Sequence, residues 1–394
     1  MQSVNPTPMA CGVFLRICTL IFLVVITPAA WTQQAAASNT PSGSSSAPAA
    51  AQTDSKSDTH QPVSPPGLDP KTGIPLYETI QEDWSSLAIG TSRLEPEPPL
   101  VGQTDNDGDG FTRTLVQLKW RPGDPLDLYV ILPKEVKKPP AVLYLYGYKD
   151  DTDRFKDNGW CQRATRGGVA AVGFVSALSA SRFHDRPLEQ WFVSELQESL
   201  GSTVHDVKFI LDYLAQRGDV DMDRIGMFGQ ASGGAIALLA AAADSRIKAV
   251  DALDPWGDWP VWLAQSPIAT DDPNHANFVK PQFLSKVAPL DPVKWLPTLK
   301  STSVRIQQVT DNEATPKACK DAIREAAPKR AEVVRFEHVS DLSNAAGQGK
   351  LFAWVKGEVQ GLPAAAEART QNQAAATPAT LQDSGKKTGQ ARDH

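Results

Sequence analysis

The sequence predicts an α/β domain: a mainly parallel sheet of about eight strands flanked by helices, with a Trp-rich insertion between its late strands. Three observations predict it. Strand-like and helix-like segments alternate from residue 141 to residue 359. The strand-like segments are short apolar runs of the kind that is buried on both faces. Gly-Gly at 167–168 and Gly218 stand where two of the helical segments end, as helix C-termini favour.

The elements follow in order. Thr112–Trp120 and Leu126–Leu132 are β-rich and are separated by Arg121-Pro122-Gly123-Asp124, which reads as an antiparallel hairpin at the sheet edge. Ala141–Tyr146 reads as a buried strand, Asp153–Arg166 as a helix and Val169–Phe174 as the next strand. Glu195–Gln216 places Val204, Val207, Leu211 and Leu214 at helical spacing. Arg224–Phe228 is a strand that runs at once into an Ala-rich helix near Gly233, and Ala249–Leu253 is a further strand. The irregular stretch Trp256–Trp295 holds four of the ten tryptophans. These aromatic faces either pack the stretch onto the domain or meet an apolar or sugar-like ligand, and burial is the commoner fate of large aromatics. Ser303–Val309 and Ala331–Phe336 are the last strands, with helices at Thr315–Ala327 and Gly347–Val359.

Both ends differ from this domain. Residues 1–30 have a polar start with Arg16, an apolar run from Ile17 to Ile26 and small residues beyond it, the layout of a signal peptide. The run is shorter than the ~20 residues of a membrane span, so an exported protein with no stable span after cleavage is expected. Residues 31–66 and 363–394 are rich in Ala, Ser, Gln, Thr and Pro or Lys, and such segments cannot offset their ordering entropy by burial. The folded domain is therefore placed at 67–362. With 39 Lys+Arg against 45 Asp+Glu, no basic surface for nucleic acid is expected. Of the four cysteines, Cys11 and Cys18 lie in the signal segment. Cys161 and Cys319 read as buried thiols, with a disulfide between them left open.

The chemistry-bearing segment is Arg224-Ile225-Gly226-Met227-Phe228-Gly229-Gln230-Ala231-Ser232-Gly233-Gly234-Ala235. It is similar to the nucleophile elbow of the α/β-hydrolases, a Gly-x-Ser-x-Gly turn between strand and helix that strains the nucleophile's backbone and leaves room only for small neighbours. Gly229 and Gly233 take the two glycine positions, so Ala231 stands where the nucleophile belongs. A methyl group cannot attack a carbonyl. Ser232 lies one residue late, where its hydroxyl either serves as a displaced nucleophile or caps helix amides. In element order the resemblance spans most of Val116–Val359 and is nearest the dienelactone-hydrolase and prolyl-oligopeptidase-like branch.

The resemblance implies an acid after the strand Ser303–Val309 and a histidine after the last strand. Asp311 falls at the first place, with a turn residue as its plain structural reading, and Asp254 or Asp258 is a less usual seat for the acid. His338 falls at the second, whereas an alignment that matches Asp341-Leu342 puts Ser340 there and removes the base. An imidazole is required because it accepts and returns a proton near neutral pH. His184 reads as a surface-loop residue near the ligand rim, His205 as a packing or solvated helix residue, and His60 and His394 fall in the ends. The oxyanion loop corresponds to Tyr146-Gly147-Tyr148, with Gly147 permitting close approach and the Tyr148 amide as donor.

Asp105-Asn106-Asp107-Gly108-Asp109-Gly110 resembles the first half of a calcium loop, but its twelfth position is Val116 rather than a bidentate Glu, so a solvated acidic loop is expected. No Cys/His spacing suggests zinc, and neither metal nor cofactor is expected. Two functions follow. One is a secreted serine hydrolase of esters or peptides, with Ser232, His338 and Asp311 as nucleophile, base and acid. The other is an inactive relative that binds a small ester- or peptide-like ligand or a protein partner in the same cleft. Fold alone does not decide between them.

Overall fold

The structure, a computed structural model, describes residues 82–89, 104–118, 120, 126–148, 152–177 and 196–361. The signal, leader and tail assignments, the 121–124 turn, His60, His184 and His394 lie outside them. Nine strands form one sheet among the described residues: β1 (Thr104–Gly108), β2 (Phe111–Leu118), β3 (Leu126–Pro133), β4 (Ala141–Leu145), β5 (Ala170–Phe174), β6 (Ile225–Gln230), β7 (Ile247–Leu253), β8 (Ser303–Val309) and β9 (Glu332–Phe336). Their order is β1-β2-β3-β5-β4-β6-β7-β8-β9. The first four in that order are antiparallel neighbours, and the run from β5 to β9 is parallel.

Among the described residues twelve α-helices accompany the strands: α1 (Asp153–Lys156), α2 (Asn158–Thr165), α3 (Leu196–Arg217), α4 (Ser232–Ala243), α5 (Trp259–Gln265), α6 (Pro267–Thr270), α7 (His275–Phe278), α8 (Pro281–Val287), α9 (Pro292–Trp295), α10 (Lys317–Ala326), α11 (Val339–Gly347) and α12 (Ala353–Gly361).

Strand alternation divides the core in two. Along β4, Ala141, Leu143 and Leu145 join a cluster with α3, α4 and the Trp-containing insertion. Val142 and Tyr144 join the opposite cluster, built with α2 and α12. Every β4 and β5 residue is buried, which is why these strands read as unbroken apolar runs. Helix α4, Ser-Gly-Gly-Ala-Ile-Ala-Leu-Leu-Ala-Ala-Ala-Ala, is apolar on all sides because it is enclosed on all sides.

Several expectations are corrected. The sheet has a ninth strand because Thr104–Gly108, expected as an acidic loop, pairs antiparallel with β2 through the Asp109-Gly110 turn. Gly110, at φ +81, supplies the left-handed residue that this turn needs. The edge is thus β1, and the β2–β3 hairpin lies inside it. The helix expected over 153–166 is two, since Asp157 leaves helical geometry and its side chain caps α2 through Trp160 N at 2.6 Å. The closing helix expected over 347–359 is α12, which starts at Ala353, and a further helix, α11, precedes it over Val339–Gly347. Trp256, Trp259 and Trp262 are fully enclosed, and the indole N–H groups of Trp259 and Trp262 donate to Leu290 O and Ala314 O at 2.8 and 3.1 Å. These three pack the stretch onto the domain, the commoner of the two expected roles, and Trp295 is partly buried against the same core.

His205 is neither solvated nor merely apolar packing. Its Nδ1 lies 2.5 Å from Glu82 Oε1 and its Nε2 2.9 Å from Ser86 O, with both side chains of the pair essentially inaccessible. Gly201 makes room for this preceding segment, since a Cβ there would stand 2.5 Å from Trp84 O. Cys161 and Cys319 are separate buried thiols; burial raises both, Cys319 to about 12. Among the described residues no helix is long and apolar enough to cross a membrane.

Replacing Glu82 with Ala leaves a buried imidazole without its carboxylate and is expected to cost roughly 3 kcal/mol or more, read from chemical denaturation. Gly233→Ala is expected to cost roughly 3 kcal/mol, because its Cβ would stand 2.3 Å from Leu145 O. Gly357→Ala, with nothing within 4 Å of the added carbon, should raise stability by about 0.5–1 kcal/mol.

Candidate active site

The tip of the β6–α4 turn is Ala231, with φ 52 and ψ −117. A non-glycine residue avoids that region unless its surroundings impose it. Here they do: Ala231 N donates to Leu253 O at 2.9 Å, while Ala231 O accepts from Ala235 N at 3.1 Å and Trp256 N at 3.2 Å. The flanking glycines permit contact that no side chain would. A Cβ on Gly229 would lie 2.2 Å from Gly233 O, and one on Gly233 would lie 2.7 Å from Tyr146 O. Gly147 faces the tip, its added Cβ 3.0 Å from Ala231 Cβ. Gly147, Tyr148, Gly229, Ala231 and Gly233 thus come together around one bend.

Ser232 opens α4 as its first residue and is fully buried. Its Oγ accepts a hydrogen bond from Tyr148 N at 2.8 Å, across from the β4 loop. Asp311 and His338 meet elsewhere on the same edge. His338 Nδ1 lies 3.1 Å from Asp311 Oδ2, and Asp311 Oδ1 accepts from Val339 N at 3.0 Å at the start of α11. With a carboxylate at Nδ1, that nitrogen carries the proton and Nε2 is the basic one in the neutral ring. The His338 side chain is 68% exposed. No hydrogen bond joins it to Ser232 among the described residues, so the structure brings two of the three expected catalytic residues together and directs the third to a backbone amide.

The profile of the prolyl oligopeptidase family matches residues 166–317, a range that includes the bend and Asp311 and stops short of His338. The Bacillus subtilis (strain 168) protein named "Putative hydrolase YtaP" is 32% identical over 134 residues, covering 30% of this chain and 45% of YtaP. The chain thus matches less than half the length of that relative. Acetyl xylan esterase from Paenibacillus sp. R4 superposes with a TM-score of 0.52 at 16% identity, covering 66% of this chain and 90% of that one. An S-formylglutathione hydrolase from Agrobacterium tumefaciens gives 0.51 at 16% identity, covering 67% and 100%. Acetyl xylan esterase 1 from Thermoanaerobacterium sp. JW/SL YS485 gives 0.50 at 14%, covering 65% and 88%.

The chain has the α/β-hydrolase fold.

In an α/β-hydrolase, ligands meet the carboxyl ends of the parallel strands, and a second group at that edge escaped the sequence reading. Asp254, named there only as a spare acid, directly follows β7 with φ 47 and is 3% exposed. Its carboxylate accepts from Asn312 Nδ2 and, at 3.4 Å, from Val309 N. Lys320 Nζ ties the same turn from α10, donating to Asn312 O at 2.7 Å and Thr310 O at 3.3 Å. Burial raises Asp254 to about 6, against the pull of Lys320 and Asn312. Burial also lowers the Lys320 ammonium. The group links the strand beside the bend to the turn carrying Asp311. Only the adjacency of Asn312 to Asp311 hinted at it, since Asp254 and Lys320 stand far apart in sequence. No group of His, Cys, Asp and Glu among the described residues has the arrangement of a metal site.

Because Asp254 titrates higher in the folded chain than in an unfolded one, its contribution is fully favourable below about pH 4 and is lost as pH rises through about 6. Above that the buried charge costs roughly 3 kcal/mol. Asp254→Asn should flatten this fall in a stability-versus-pH series, with the variant gaining on the parent between about pH 4 and pH 7. Parallel curves for the two proteins would show that the carboxyl titrates normally.

Proposed function

We propose that this chain is an exported α/β-hydrolase-fold protein that binds a small ester- or peptide-like ligand at the β6–α4 bend without hydrolysing it by a serine mechanism. One observation carries the reading: the residue forced into the strained tip conformation is Ala231, whose side chain ends in a methyl group. Covalent catalysis needs a nucleophile within hydrogen-bond reach of its base. Ser232 does not supply one, since it is buried and its Oγ faces the Tyr148 amide. The glycine-lined approach to the bend is kept, so a ligand still meets a close backbone surface. Export rests on the apolar segment after Arg16.

A second reading has its own support. The Asp311–His338 pair holds an imidazole in the tautomer that a general base requires, and a turn that carried Ser232 to it would restore a Ser-His-Asp set acting on esters or peptides.

A fluorophosphonate probe separates the two on the purified protein. The expected outcome is no covalent labelling of the folded chain, together with p-nitrophenyl acetate hydrolysis no faster than the buffer background. Labelling that disappears in Ser232→Ala would establish the second reading and end the first.

A further inference from the structure

We infer that Ser232 is a built-in occupant of the oxyanion site, so that this chain has lost its transition-state acceptor position as well as its nucleophile. The inference deepens the proposed function and shares its premise that the tip is inert.

Acyl transfer in this fold places a developing oxyanion between two backbone donors, one on the residue after the tip and one on the loop after β4. In this chain the residue after the tip is Ser232, and the loop donor is Tyr148 N. That second donor already has an acceptor. Tyr148 N points at Ser232 Oγ at 2.8 Å, an ordinary length for a made hydrogen bond. Ser232 thus brings one donor to the site through its backbone and takes the other away through its side chain.

The occupation is held by packing. Ser232 is 0% exposed, fixed on a helix that is buried from Ser232 to Ala241 and that begins under the carbonyls of Leu145 and Tyr146. Swinging the hydroxyl out of the way would break this hydrogen bond and leave a buried hydroxyl to be satisfied elsewhere. A ligand carbonyl at the bend therefore competes with an acceptor tethered to the protein itself. Two consequences follow. The cleft favours ligands whose contacts to the bend do not depend on a carbonyl oxygen at Tyr148 N, and restoring a hydroxyl at the tip is insufficient to restore chemistry.

The test uses the full-length chain and four proteins: the parent, Ala231→Ser, Ser232→Ala and the double variant, each checked for folding by circular dichroism. Fluorophosphonate labelling should be absent in the parent and in Ser232→Ala, slow in Ala231→Ser, and at least about 100-fold faster in the double variant, the usual weight of one oxyanion donor. Equal rates for Ala231→Ser and the double variant overturn the inference and leave the lost-nucleophile reading standing. Labelling of the parent overturns that reading instead. A folded double variant that does not label also counts against the inference. Amide exchange gives an independent measurement without chemistry at the tip: Tyr148 N–H should exchange at least about tenfold faster in Ser232→Ala than in the parent, and an unchanged rate refutes the occupation.

Discussion

Backbone meeting backbone at the β6–α4 bend is the contact on which the rest of the architecture turns. Helix α4 starts directly against the ends of β4 and β6, and at Gly229 and Gly233 an added carbon would collide with carbonyl groups rather than with movable side chains. Backbone cannot yield as the far end of a lysine can, so the two glycines are fixed by geometry. Their closeness lets one helix cover the centre of a parallel sheet and forces the intervening residue to positive φ. The strain at Ala231 is therefore a property of the scaffold. It persists whether or not the side chain there does chemistry.

That independence explains how a hydrolase-like frame exists around a site with no hydroxyl at its tip. The fold is held by two cores on either face of the sheet, built from the strands and the helices that cover them. The acid–histidine pair survives on similar terms. Asp311 receives the first amide of α11 as well as the imidazole, so it stabilises a helix start whatever the histidine is used for. Retention of the pair is accordingly weak evidence for turnover, whereas the direction of the Ser232 hydroxyl bears on it directly.

Much of this was legible in the sequence because the responsible signals are local. Strands buried on both faces must be apolar runs, and the spacing of Gly229 and Gly233 around a strand end and a helix start has few other physical uses. What escaped depends on partners remote in the chain. Asp105-Asn106-Asp107 are poor strand formers, and their strand exists because β2 offers an unpaired edge. His205 gave no sign of its burial, since Glu82 lies 123 residues away. The destination of the Ser232 hydroxyl is set by Tyr148, which is 84 residues away. A one-residue shift along the elbow showed that the serine was misplaced, but not where it had gone.

The Asp254 group gives the bend and the acid-bearing turn a common foundation. Leu253 O holds the Ala231 amide, Gln307 O holds the Asp254 amide at 2.6 Å, and the Asp254 carboxylate holds Asn312. The bend and the turn that carries Asp311 are thus joined through the end of β7 by a chain of hydrogen bonds. Burying a carboxylate is costly unless every oxygen finds a partner, and the partners here all belong to that turn or brace it. Lys320 adds a positive charge close by while spending its hydrogen bonds on backbone carbonyls of the same turn. The carboxyl ends of β6, β7 and β8 are therefore connected by one buried hydrogen-bonded network.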